Sequence, residues 1–310
     1  MTKGKMIWQE ARRTLDRIRA LVGGTCLLLC PLVTATEGAS SNYLPGFYGD
    51  FAMARLPDKG LYLLNFLSWT HQNDANTGAE VVQELPGIVY ASGEKFLSAN
   101  FIMAAFPTGM YKAIQDKTAA AGAGRGFQRG GMGDPYLVPA ALNWDFGELS
   151  LFVFEGIVAP IGYYHKDATV NLGLNIWTFD NMAMATYRPK DSQQELNVAF
   201  GYMVNTENPA THYRNGDELH IDYFYGHYFT DTLGIGLAGS YYRQMTSDTL
   251  AGQTALGVAT GAVSSIGPAI TWTQKIIEKD VSFSLKWLHE YDVSFRTPVD
   301  YVMLRTIVEL

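Results

Sequence analysis

Residues 205–225 read NTENPATHYRNGDELHIDYFY. Asn208-Pro209 and Asn215-Gly216-Asp217 are turn signals, and a strand with strict alternation follows them. Leu219, Ile221, Tyr223 and Tyr225 share one face, while Glu218, His220 and Asp222 share the other, because residues two apart in a strand point the same way. A soluble sandwich would bury the apolar row. A membrane barrel would turn that row to lipid and the two carboxylates and imidazole to its lumen. The remainder of the chain decides between them.

The 310 residues are 13% aromatic and only 17% charged, with 31 glycines, whereas soluble domains average about 25% charged. Mean hydropathy is −0.02, too polar for a helical membrane protein. Aromatic-rich, glycine-rich and half-polar is the composition of a barrel whose side chains alternate between lipid and water. Lys3, Lys5, Arg12, Arg13, Arg17 and Arg19 precede an uncharged apolar run over 20–36, and Val33-Thr34-Ala35 supplies the small residues of a cleavage site. Residues 1–35 are therefore expected to be a signal peptide cleaved near Ala35. Both cysteines, Cys26 and Cys30, fall within it, so the exported chain has no disulfide and no thiolate chemistry. Removal of the leader leaves 17 basic and 28 acidic residues, a charge of about −11 that disfavours nucleic acid.

Residues 36–58 are expected to form an irregular segment, since Pro45, Gly46 and Gly49 forbid a long helix or a central strand. Asn42, Tyr43, Pro45, Tyr48 and Asp50 make this segment a candidate plug, either at the periplasmic mouth or inside the lumen. Residues 59–310 are read as the barrel. Strand-length runs recur about every 20 residues, at 60–70, 80–91, 96–106, 136–144, 149–159, 171–187, 194–205, 233–245, 264–273, 281–287 and 301–310, besides the opening stretch. This is an all-β, antiparallel up-and-down transmembrane barrel of about 12 strands, with ten or fourteen also compatible with the pattern. Residues 107–133 read as a long, flexible Ala/Gly-rich loop. Pro268 predicts a local bulge. The final run alternates to Leu310, as in bacterial outer-membrane barrels. Gly234-Ile235-Gly236-Leu237-Ala238-Gly239 matches GxGxxG, but alternation continues through it where a dinucleotide site would start a helix. No cofactor and no metal are expected.

The sequence around Asn42-Tyr43-Leu44-Pro45-Gly46-Phe47-Tyr48-Gly49-Asp50, the Gly133-Asp134 pair and the segment from Thr211 to Asp222 resembles a family of outer-membrane proteins named for the meta-pathway of phenol degradation. The resemblance spans the exported chain. It implies a barrel that helps hydrophobic or aromatic compounds cross the outer membrane, and it brings no catalytic residues. Expected partners are a small hydrophobic or aromatic solute, outer-membrane lipid and the barrel-assembly machinery.

A row of Glu218, His220 and Asp222 spans about 13 Å at 3.3 Å per residue, too far for all three to ligate one ion without help from other strands. It reads either as a metal or polar-ligand contact or as a lumenal constriction paired with basic residues, for which Lys286 and Arg305 are candidates. No GxSxG elbow occurs, and no spacing among the six histidines supports catalysis, so an enzyme is not expected. Passive uptake of small hydrophobic or aromatic compounds is the leading reading; a general polar-solute porin and a structural barrel are the alternatives.

Overall fold

The computed structural model describes residues 41–56, 59–73, 77–117, 125–255 and 260–310. The expected signal peptide over 1–35 with its expected cleavage near Ala35, and residues 36–40 and 57–58 of the irregular segment, lie outside the described residues.

The strands are β1 (Lys59–Asn73), β2 (Thr77–Phe96), β3 (Ala99–Phe106), β4 (Gly109–Asp116), β5 (Arg125–Met132), β6 (Tyr136–Asp145), β7 (Leu149–Val158), β8 (Thr178–Tyr187), β9 (Gln194–Asn205), β10 (Tyr213–Arg214), β11 (Glu218–Thr230), β12 (Leu233–Gln244), β13 (Thr249–Leu250), β14 (Gln253–Thr254), β15 (Ala262–Ile276), β16 (Lys279–Ser294) and β17 (Asp300–Glu309). The main sheet runs β1-β17-β16-β15-β12-β11-β9-β8-β7-β6-β3-β2, and β1 also pairs with β2, which closes the ring at twelve antiparallel strands. Closure leaves no strand edge for lipid to face, which is what permits a sheet to cross a membrane. β10, β13 and β14 form a small separate sheet within the segments that link β9 to β11 and β12 to β15.

Side-chain parity sorts the wall into two faces. On β9, Leu196, Val198 and Phe200 are 49%, 51% and 46% exposed, while Glu195, Asn197 and Ala199 between them are buried. The same alternation exposes Leu61, Leu63, Leu67 and Trp69 on β1 and Ile235 and Leu237 on β12. A barrel with its apolar row outside and its polar row inside is the membrane arrangement. On β11 it turns Glu218, His220 and Asp222 inward and fully buries them.

Residues 107–133 correct the expectation of a flexible loop. β4 continues β3 past Pro107-Thr108, β5 leads into β6 through Gly133-Asp134-Pro135, and β4 pairs with both β2 and β5. The hairpin is hard to see in sequence because β5 reads RGFQRGGM, with three glycines where β-propensity favours branched or aromatic residues. Residues 118–124 lie outside the described residues. The bulge expected at Pro268 is also corrected, since pairing with β12 keeps its register through Leu237↔Pro268. The register shift occurs at Pro139 instead. There β6 slips against β3 between Ile102 and Ala104, and against β7 between Leu137 and Ala141. A proline supplies no N–H to the ladder.

Short connections join β2 to β3, β6 to β7, β8 to β9, β11 to β12 and β15 to β16 at one end, and the longest ones, from β7 to β8, β9 to β11 and β12 to β15, lie at the other. Short turns mark the periplasmic end of such barrels. Residues 41–56 run through the interior between the two ends. Ser41 Oγ donates to Glu218, the first residue of β11, and Asn42 Nδ2 donates to Thr178, the first of β8, at 2.7 Å; both acceptors sit at the long-loop end. Ala54 N–H donates to Thr186, next to the far end of β8, at 3.0 Å, and its carbonyl accepts from Asn143 at 2.8 Å. Tyr43, Tyr48, Phe51 and Ala54 are buried among inward-facing side chains. The interior is therefore packed with the chain's own residues.

Candidate functional site

The inserted segment is held by the inward rows of six strands. At its centre is a turn in which Phe47 N–H donates to Leu44 O and Gly49 N–H to Gly46 O. Gly46 has φ +81°, and a Cβ there would sit 2.3 Å from Leu288; both conditions require glycine. Asp222 grips the turn from β11. Tyr43 Oη donates to it, as do Gly46 N–H at 2.9 Å and Tyr48 N–H at 3.1 Å. From β16, Lys286 Nζ donates to the carbonyls of Gly46 (2.6 Å), Phe47 (3.1 Å) and Gly49 (2.9 Å). One carboxylate thus takes the donors of the turn and one ammonium takes its acceptors. This satisfies backbone groups that have no sheet to join.

Below the turn, Arg305 donates to Phe51 O at 2.8 Å and lies 3.5 Å from Asp50. Asp50 also accepts from Ser284, at 2.5 Å. Glu195 accepts Ala52 N–H at 2.6 Å, and Asn197 donates to Asp50 O at 2.9 Å. Lys286 and Arg305, expected as counterions of the β11 row, thus spend their hydrogen bonds on the inserted segment. Pro45 is buried in the same turn.

His220 is served by a residue that sequence reading left aside. Its Nε2 lies 3.0 Å from Asp180 Oδ1 on β8. Asp180 Oδ2 accepts from Tyr48 at 3.2 Å and Tyr136 at 3.3 Å, and those two phenols are 2.9 Å apart. The Tyr43 ring stacks on His220 at 4.0 Å, and Tyr48 lies nearly parallel to it at 5.8 Å. Asp180 was legible in principle: TFDNMAMATY puts Thr178, Asp180, Met182, Met184 and Thr186 on one parity, and β8 buries that parity. Glu218 accepts from Ser41 and from Asn205, the latter at 3.0 Å. Each member of the row has separate partners. Among the described residues, no group of three or more His, Cys, Asp or Glu could hold a metal.

Two spaces remain beside this core. One is a small cavity of about 60 Å³ beside the turn, lined by Phe47, Tyr48, Phe66, Tyr136, Met203 and Met303, with Asp180 at its wall. The other is a crevice of about 1020 Å³ beside β6, lined by Tyr90, Phe96, Phe101, Met103, Phe154 and Phe200. Its lining mixes exposed residues such as Tyr90 and Phe200 with buried ones such as Phe154 and Met182, so it draws on both faces of the wall.

Asp134, of the Gly133-Asp134 pair, anchors the long connection between β7 and β8. Its carboxylate accepts Gly162 N–H and Leu174 N–H, each at 2.8 Å. Burial pushes its carboxyl above the ordinary value, opposed by those backbone donors. Asp134→Asn replaces one acceptor oxygen with a donor and leaves an N–H unpaired, a cost of about 1–3 kcal/mol. Hydrogen exchange at Gly162 and Leu174 is expected to speed up by at least about tenfold, with the strands unaffected. Unchanged exchange would remove Asp134 as the anchor.

A closed ring of antiparallel strands with an apolar exterior and a polar interior defines a transmembrane β-barrel of the bacterial outer-membrane class. Residues 68–306 match the model of the family described as "Putative MetA-pathway of phenol degradation", and the chain belongs to that family. No curated protein matches the chain. Among solved structures it is similar to an outer membrane channel from Pseudomonas putida F1, with 11% identity, a TM-score of 0.69 and coverage of 87% of this chain and 100% of that one. The beta domain of a Bordetella autotransporter has 7% identity and a TM-score of 0.48, covering 82% of this chain and 100% of that one. A Pseudomonas aeruginosa FadL homologue has 7% identity and a TM-score of 0.43, covering 89% and 97%.

Proposed function

We propose that this barrel is a channel for passive uptake of small hydrophobic or aromatic compounds across the outer membrane. The observation that carries the reading is the occupied interior. Residues 41–56 and the polar rows that hold them fill the space a general porin leaves to water, while the small cavity is lined mainly by aromatic and thioether side chains and the crevice mixes such side chains with aliphatic ones and with Glu94, Lys95, Glu155 and Asn181. Apolar solutes meet their barrier in the lipopolysaccharide leaflet, and an aromatic-lined path past it needs only a concentration gradient. The family's description, which names phenol degradation, agrees with this substrate class, and the Pseudomonas putida protein's title, an outer membrane channel, agrees with a channel. In this reading Asn42, Tyr43, Pro45, Tyr48 and Asp50 act as a plug, and Glu218, His220, Asp222, Lys286 and Arg305 form the constriction that seats it.

The test compares intact Gram-negative cells with and without the chain. Labelled benzyl alcohol or toluene is expected to enter several-fold faster with it, and proteoliposomes carrying it are expected to swell slowly in pentose sugars. Rapid sugar entry with no aromatic preference would establish the polar-solute porin instead.

A further inference from the structure

The inward face of the β4–β5 hairpin carries two cations, Lys112 and Arg129, for which no ion pair is seen among the described residues. Lys112 and Arg129 are register partners, so their side chains emerge side by side on one face. That face is the inner one. Lys112 also pairs with Val81, whose parity on β2 is shared by Gln83 and Leu85, and both of those line the small cavity beside the inserted turn. Like charges directly opposite in a sheet destabilise it, and an acidic residue would normally be placed to offset them. None is adjacent. The surrounding positions of the same face are Ala79, Val81 and Gln83 on β2, Met110 and Ile114 on β4, and Phe127 and Gly131 on β5. Asp116, on the same row, stands four residues from Lys112, about 13 Å along the strand. The 118–124 connection contains no acidic residue. The hairpin, which also contains Lys117 and Arg125, is a basic stretch in a chain of net charge −7.

Arg129 is also oriented. Its guanidinium carbon lies 3.8 Å from the centroid of Tyr163, a residue fixed by Tyr163 N–H donating to Met132 O. Its Nε is buried with no hydrogen-bond partner. Stacking occupies the face of a guanidinium and leaves its donor edge free, and that edge matches the two oxygens of a planar carboxylate. Phe127 and Ile114, the next register pair on the same face, offer an apolar surface beside the charges.

We infer that Lys112 and Arg129, positioned by Tyr163, form a binding site for aromatic carboxylates at the long-loop end of the barrel. The carboxylate lies between the ammonium and the guanidinium edge, and the ring rests against Phe127 and Ile114. This deepens the uptake reading and rests on it, by naming ring carboxylates as a class of solute received at the mouth.

The experiment is isothermal titration of the refolded full chain in detergent with benzoate, benzyl alcohol and inorganic phosphate. Saturable benzoate binding is expected. Arg129→Gln and Lys112→Met should each weaken it about tenfold or more, as loss of a charge-assisted contact does. Lys112→Arg should retain it, and benzyl alcohol should be indifferent to all three. Far-UV circular dichroism checks that each variant is folded, and Lys112→Arg preserves the test if a neutral variant is not. No saturable benzoate binding, or equal affinity in wild type, Arg129→Gln and Lys112→Met, overturns the site. Phosphate binding as tight as benzoate overturns the carboxylate assignment and leaves a general oxyanion site. Failure of the uptake reading is seen separately, as unchanged benzyl alcohol entry into cells.

Discussion

Asp222→Ala is expected to open the lumen. Asp222 holds Tyr43 Oη, Gly46 N–H and Tyr48 N–H, and all of these bonds are buried. Its removal leaves Tyr43 Oη and Tyr48 N–H unpaired, at about 1–3 kcal/mol each, leaves Gly46 N–H with only its second acceptor, Tyr43 Oη at 3.0 Å, and also takes a negative charge away from buried Lys286. The wall loses nothing comparable, because the ladders from β11 to β9 and β12 are backbone bonds. The cost therefore falls on the insertion of residues 41–56 and not on the ring. Single-channel conductance in planar bilayers should rise several-fold, and pentose-driven swelling should become rapid, with the far-UV spectrum unchanged. Asp222→Asn should be intermediate, since one acceptor oxygen survives. Wild-type conductance from a folded Asp222→Ala barrel would show that the turn is secured by something else.

Lys286→Met should loosen the same turn from the opposite side. Methionine keeps the length of the aliphatic stem but leaves the carbonyls of Phe47 and Gly49 without their Lys286 donor and that of Gly46 with Gly49 N–H alone. Removing one member of a buried charged network costs on the order of 3–5 kcal/mol. Hydrogen exchange across 41–56 should accelerate by about two to three orders of magnitude, since each 1.4 kcal/mol is tenfold, with exchange in β15 to β17 unchanged. Because Asp222 and Lys286 act on one turn, the Asp222→Ala/Lys286→Met double variant should exchange more slowly than the sum of the single effects requires. Additive effects would mean that the two side chains hold the segment independently.

The fold was legible because parity in a strand is a binary signal. Leu219, Ile221 and Tyr223 against Glu218, His220 and Asp222 identify the outer and inner faces of β11 without knowledge of its neighbours, and the structure keeps that assignment. The β4–β5 hairpin was not legible, since Gly126, Gly130 and Gly131 on β5 weaken the pattern. Nor did proline report its own consequence. Pro268 sits in register while Pro139 breaks it, because what matters is whether the neighbouring strands needed the missing N–H. The partners of the inner row were the least accessible. His220 meets Asp180 forty positions away, and Asp222 meets Tyr43 across most of the chain. Alternation says which way a side chain points, but only the closed ring and the path of 41–56 determine what it meets there.

That path also constrains the order of assembly. Residues 41–56 run from the long-loop end to the turn end and continue toward β1, which forms the seam with β17. If the seam were already closed, the segment would have to be threaded end-on through a packed cylinder. Laid against β8, β9, β11 and β16 while β1 and β17 are still apart, it needs no threading. In that order the polar rows serve as a mandrel bed, a sheet wound around a peptide it already grips, and β1 meeting β17 closes the ring over it.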